Sequence, residues 1–286
     1  MRSFSALLLC LGALVAPGSF AAECATVPDA SRIVVAGGSL TEILYDLGEQ
    51  DRIVGVDTTS NYPEDAARFP SIGYVRALSA EGVLSLGPTL ILGEDDTGPP
   101  NVVDQLENVG VSFVKVPEDH SPEGIVDKVR CVGTVIGEGA AAEALIEDRL
   151  APAAGRSRVR MQAGGPRPRG MVVLGIRDGS PLVAGTETSG DGLLRMAGGE
   201  NAFGDVRGWK PISPEAMAVA APEFIVIPDR GVEGAGGIDA LLAHPTLALT
   251  PAARERRVVT MDGMTMLGFG PRTLEAADRL AEAIDG

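Results

Sequence analysis

Short runs of apolar, largely β-branched residues alternate along this chain with segments whose apolar positions recur every three or four residues. The first series of runs is Arg32–Ala36, Ile53–Val56, Leu90–Leu92 and Val111–Val114. Helical spacing falls between them, near Leu40–Leu47, Ala80–Leu86 and Val102–Val109. Unbroken apolar strands separated by helices predict a largely parallel sheet covered by those helices. The pattern then repeats, with strands predicted at Met171–Leu174, Phe224–Ile227 and Val258–Met261, and helices near Asp191–Ala197, Pro214–Val219 and Pro271–Ile284. Two α/β lobes are the economical reading.

Between the two series, Ile125, Val129, Val132 and Ile136 recur at helical spacing behind a Ser121 cap and Pro122 at the first turn. This predicts a long connecting helix within residues 119–155, which Gly137 and Gly139 break or bend. The stretch Gly155–Gly170 carries Arg156, Arg158, Arg160, Arg167 and Arg169 with no acid, and its Gly and Pro content reads as an exposed connection. The expected organisation is a leader over residues 1–21, an N-terminal lobe over 22–118, the connecting helix over 119–155 and a C-terminal lobe over 156–286.

The leader reading rests on Arg2, an apolar stretch from Leu7 to Val15, and Ser19-Phe20-Ala21 as a small-x-small cleavage site near Ala21. That stretch is about half the roughly 20 residues a membrane span needs, so an exported protein that is not membrane-embedded is expected. Neither Cys10, after Leu9, nor Cys24, after Glu23, has the small-residue setting of a lipid-modified cysteine. Loss of the leader leaves Cys24 and Cys131, which an oxidising compartment allows to form a disulfide; an unpaired buried thiol is the alternative. The net charge of −15 argues against nucleic acid or an anionic membrane surface as a partner.

An α/β pattern also suggests a nucleotide-dependent enzyme, but the motifs are missing. No GxGxxG follows the first strand, and neither a GxxxxGK[ST] loop nor a GxSxG elbow occurs. His120 and His244 are the only histidines, each placed for a surface or capping role, so a Ser-His-Asp arrangement is not expected. The same scarcity removes the imidazole cluster that a carrier of bare zinc or manganese needs. Binding without turnover is the better class.

The stretches Gly37–Gly48, Ile72–Leu92, Gly98–Pro100, Ala197–Phe203, Gly208–Ala216 and Leu267–Thr273 together resemble the periplasmic substrate-binding proteins of ABC importers for cobalamin, siderophores and haem. The haem-binding branch is the nearer resemblance. It implies two Rossmann-like lobes bridged by a rigid helix, and a monomer that hands haem to an inner-membrane permease and its ATPase. In that branch the tyrosine of a GYxR motif is the axial iron ligand and the basic residue two positions on supports it; here these are Tyr74 and Arg76. Without the resemblance they read as a loop aromatic and a surface charge. A phenolate is a hard anionic donor suited to ferric iron, and the metal and a guanidinium both favour that charged form.

Some relatives supply a second axial histidine after the first C-terminal-lobe strand. The corresponding stretch here, VLGIRDGSPLVAG, has none. Arg177 in that stretch either meets a propionate or ends a strand as an exposed charge. Trp209 is a candidate for the ligand face. Met264 and Met266 are candidates for lining or ligation, with ordinary core filling as the alternative. Ser39 follows two glycines at a strand-to-helix turn, where it receives a carboxylate or simply caps the helix. Glu81 and Glu215 stand early in matched helices, one per lobe, where the resemblance presents acids to permease arginines. A ferric siderophore or cobalamin is the alternative cargo.

Overall fold

In the computed structural model, which describes residues 24–285, β1 (Ile33–Ala36) is buried at every position because its two faces meet different apolar clusters. Ile33 and Val35 face one cluster, and Val34 and Ala36 the other. Such two-sided burial is what a central parallel strand needs. β1 pairs with β2 (Ile53–Val56) on one side and β3 (Leu90–Glu94) on the other, and β4 (Ser112–Val116) completes an all-parallel sheet in the order β2-β1-β3-β4. The expected leader and cleavage site lie outside the described residues.

The second sheet is mixed. It contains β5 (Arg169–Arg177), β6 (Ser180–Ala184), β7 (Glu200–Asn201), β8 (Trp209–Pro211), β9 (Phe224–Pro228) and β10 (Val258–Met261). The order is β10-β9-β5-β6-β8, with β7 beside the start of β5. β10, β9 and β5 run parallel, whereas β6 and β8 join antiparallel. β5 thus extends beyond the predicted Met171–Leu174 and turns back through Asp178 and Gly179, at φ 50° and 74°. That Asp-Gly pair satisfies the two positive φ angles of a tight hairpin whose twist matches its strands. Gly170 is bare for a packing reason: a Cβ there would lie 2.1 Å from the Phe224 ring.

The connecting segment is helical but divides. Pro122–Val135 is capped by Ser121, whose Oγ accepts from the Gly124 N–H at 3.0 Å, and it stops before Gly137 at φ 82°. A second helical run starts at Gly139–Leu145, widens into a π turn at Ile146–Leu150 and continues as Ala151–Gln162. Pro152 explains the widening, since it has no N–H for the carbonyl one turn back and its ring crowds that carbonyl. The bridge to the second sheet is this later run, about 36 Å long at 1.5 Å per residue. The expected arginine-rich connection is therefore corrected: residues 151–162 are helix, and only 163–168 are irregular. Its arginines find acids distant in sequence, Arg156 and Arg160 at 2.5 and 2.7 Å from Asp278, and Arg158 at 2.7 Å from Glu123.

Cys24 and Cys131 are joined by a disulfide that ties the first described residue to helix Pro122–Val135. The lobes share one apolar cluster, which runs from Ile33 and Leu40 through Val129 and Val132 to Val172 and Leu274. A buried ion pair also crosses the junction. The Arg272 guanidinium and backbone N–H each donate to a Glu42 carboxylate oxygen at 2.8 Å. No described helix is long and apolar enough to cross a membrane.

Candidate functional site

Both sheets present the carboxyl ends of their parallel strands to the space between the lobes, where open α/β sheets bind ligands. A cleft of about 1130 Å³ lies there. The residues beyond β2 (Thr58, Thr59), β3 (Asp95, Asp96) and β4 (Glu118, His120) line one side, and those at or beyond the ends of β5 (Leu174–Ile176), β9 (Pro228–Gly231) and β10 (Asp262–Met264) line the other.

Tyr74 enters this cleft from a loop that turns every third residue from Ile72 to Leu78 inward. Ile72, Val75 and Leu78 are buried in the outer cluster of the N-terminal lobe. The backbone is pinned by Thr58 N–H to Gly73 O at 2.9 Å and Gly98 N–H to Val75 O at 3.0 Å. With those three side chains inward, Tyr74 and Arg76 are left outward, and Tyr74 is 42% exposed. The Arg76 guanidinium donates to the Tyr74 hydroxyl and to Asp96, and it lies 5.6 Å over the Tyr74 ring. Burial works against its charge, but Asp96 and Tyr74 more than offset this and raise its pKa.

Trp209 and Met264 also line the cleft, on the C-terminal-lobe side. β8 pairs Trp209 with Ala184, so the edge hairpin sets the indole at the cleft. The Met264 methyl reaches the opposite lobe, where a Cβ on Gly38 would lie 2.8 Å from it. Three expected contacts are not brought here. Met266 is fully buried in the shared core, because the short helix Gly263–Leu267 turns it to the opposite side from Met264. Arg177 is exposed at the β5–β6 hairpin and does not line the cleft. Ser39 is neither a cap nor a lining residue. It is the second residue of helix Gly38–Asp46, and its Oγ donates to Glu94 at 2.7 Å.

The cleft holds groups that no local pattern announced. His120, expected at the surface, lines it and packs edge-on against Phe269 at 4.8 Å. Burial lowers its pKa, opposed by Glu118. His244 does accept a backbone N–H, from Thr246 at 3.2 Å. Glu94, Asp95, Asp96 and Glu118 line the cleft from one lobe, and Glu187, Asp229 and Asp262 from the other; Arg76 and Arg230 are its arginines. Burial pushes the Glu94 carboxyl up to about 7, with Lys128 opposing. No cluster of three or more metal-binding side chains occurs among the described residues. Glu81 and Glu215 are exposed one residue into helices Ala80–Leu84 and Pro214–Ala220, each with a serine cap.

Two α/β lobes on a helical bridge, with a half-apolar cleft at their strand ends, define a two-lobed ligand-binding protein. A family described as periplasmic binding protein matches residues 33–265, and the chain belongs to that family. Among solved structures, the periplasmic heme-binding protein RhuT from Roseiflexus sp. RS-1, in apo form, is 37% identical with a TM-score of 0.83, covering 90% of this chain and 98% of that one. A periplasmic heme-binding protein from Pseudomonas aeruginosa is 38% identical with a TM-score of 0.77, covering 89% and 92%. A cobalamin-binding protein from Halobacterium salinarum is 26% identical over 275 residues, covering 90% of this chain and 73% of its own. These relatives carry the names of heme- and cobalamin-binding proteins.

Proposed function

We propose that this protein is an exported carrier that captures ferric haem between its lobes and delivers it to an ABC permease in the inner membrane, with Tyr74 as the iron ligand. The observation that carries the reading is the Tyr74 hydroxyl held outward in the cleft with a guanidinium on its oxygen. A phenol gives up its proton to bind iron, and Arg76 stabilises the resulting anion. The apolar faces of Trp209, Met264, Leu174 and Leu267 suit a flat macrocycle. Arg230, with no carboxylate partner among the described residues, suits a propionate.

Delivery uses Glu81 and Glu215, one exposed acid per lobe, against arginines of the permease, while a separate subunit hydrolyses ATP. The buried Glu42–Arg272 pair and the shared core support modest lobe motion during transfer. Cobalamin is the second reading, supported by the likeness to the Halobacterium salinarum protein. Titrating the mature protein with hemin, cobalamin and a ferric siderophore, followed by visible spectroscopy, separates the cargoes. The haem reading requires hemin to bind with a tyrosinate-type ferric spectrum; cobalamin binding with no hemin binding would replace it.

A further inference from the structure

Beneath the cleft floor lies a polar recess that the haem reading does not use. It is built by Glu94 at the end of β3, Ser39 in helix Gly38–Asp46, Glu118 beyond β4 and Lys128 in helix Pro122–Val135. The Lys128 side chain is only 1% exposed, and its ammonium reaches Ser39 Oγ at 3.2 Å, Glu118 Oε1 at 3.2 Å and, across the lobe junction, Gly268 O at 3.3 Å. Lys128 thus pairs directly with Glu118, against which His120 also lies at 3.8 Å, and it only partly offsets a charge on Glu94. Glu94 accepts one hydrogen bond, from Ser39, and among the described residues no donor reaches its second oxygen. Gly37 leaves room for this carboxyl, since a Cβ there would lie 2.4 Å from Glu94 Cγ.

The other charges facing Glu94 are mostly unfavourable. Asp95 and Asp96 follow it on its own strand end, and Asp96 already binds Arg76. Asp57, beyond β2, is satisfied by the Gly37 and Thr59 backbone N–H groups and the Thr59 and Ser60 hydroxyls. The C-terminal lobe contributes the Gly268 carbonyl oxygen, which is also an acceptor. Glu94 is half-buried and lines the cleft, so it exchanges protons with solvent when the cleft is open. A ring laid over the floor removes that water, and two propionates add negative charge to a cleft already rich in carboxylates. Both effects disfavour an ionised Glu94.

We infer that haem capture is coupled to uptake of a proton by Glu94, so that the cleft holds its ligand more tightly in mildly acidic than in alkaline solution. This rests on the haem reading. The free carboxyl titrates at about 7. The ligand raises that value, so binding takes up no proton well below it. Between the free and bound values binding takes up as much as one, and affinity falls as pH rises through that window. The total loss is about tenfold for each unit by which the ligand raises the Glu94 pKa.

The test is hemin titration of the native protein and Glu94→Gln between about pH 6 and about pH 8.5, by calorimetry in two buffers of different ionisation enthalpy. Proton release on iron ligation by tyrosine is common to both proteins, so their difference isolates Glu94. The expected result is greater proton uptake by the native protein in the window just above about 7, where the free carboxyl is ionised and the bound one is not, and a flatter affinity profile for the variant. Equal proton counts and parallel profiles would overturn the coupling while leaving the haem reading intact; failure of the native protein to bind hemin would overturn the reading itself. Ser39→Ala gives an independent readout if Glu94→Gln does not fold. Losing the bond that favours the charged form moves the affinity profile to higher pH, and an unmoved profile counts against the inference.

Discussion

The two lobes do different work with similar frames. The N-terminal lobe has an all-parallel sheet, and from its strand ends and loops come the hydroxyl of Tyr74, the guanidinium of Arg76 and the Glu94–Lys128–Glu118 recess. The C-terminal lobe replaces part of its sheet with an antiparallel edge, and this brings a flat apolar side chain, Trp209, to the same cleft. A parallel strand end delivers loops and polar groups to the cleft, whereas a hairpin edge delivers a wall. The division is not absolute, since the C-terminal lobe also brings Glu187, Asp229, Arg230 and Asp262 to the cleft.

The comparison breaks most readily through stability. The disulfide ties the first described residue to helix Pro122–Val135 across a sequence separation of 107. Replacing both cysteines by alanine should cost about 2–5 kcal/mol, read by denaturant unfolding, and the cost should vanish when the native protein is measured under reducing conditions. Glu42→Ala leaves Arg272 buried without its carboxylate at the lobe junction, and about 3 kcal/mol of destabilisation is expected. If the lobes were independent, that substitution would split the unfolding transition rather than shift it.

Ligand binding sharpens the comparison. Arg76→Ala, on the chemical lobe, should weaken hemin about tenfold and change its spectrum, since a hydrogen bond to a charged oxygen is worth about 1.5 kcal/mol or more. Trp209→Ala, on the wall, should cost only about 1 kcal/mol and leave the spectrum unchanged. An effect of similar size belongs to the arginines of the bridge and their shared acid. Burial alone would raise the Asp278 carboxyl, but hydrogen bonds from Arg156 and Arg160 outweigh it and hold the group below its ordinary value. Its stabilising contribution is present above the unfolded-state value and is lost as pH falls through the depressed one. Asp278→Asn should therefore lose about 1 kcal/mol near neutral pH and show a shallower acid transition.

Much of this fold was legible because its parallel strands are buried on both faces: Ile33–Ala36 and Phe224–Pro228 show as apolar runs with no polar interruption. The β5–β6 hairpin was missed, although Asp178-Gly179 between apolar runs is a recognised hairpin signal. The arginine-rich helix was missed for a different reason. Its stabilising partners, Asp278 and Glu123, are remote in sequence, so locally it reads as unpaired charge. In the site, Tyr74, Arg76 and Trp209 sit in stretches with a family likeness. Glu94, His120 and Arg230 carry no motif, and only the folding of separate strand ends toward one cleft gives them a shared place. Met264 and Met266, two residues apart on one short helix, show how little spacing alone says about which thioether meets the cleft.

The most direct test of the account is a hemin titration of the native mature protein beside Tyr74→Phe, which removes only the hydroxyl. The account predicts a tyrosinate-type ferric spectrum in the native complex, and its loss together with weaker binding in the variant. The same spectrum and the same affinity in both proteins would contradict it.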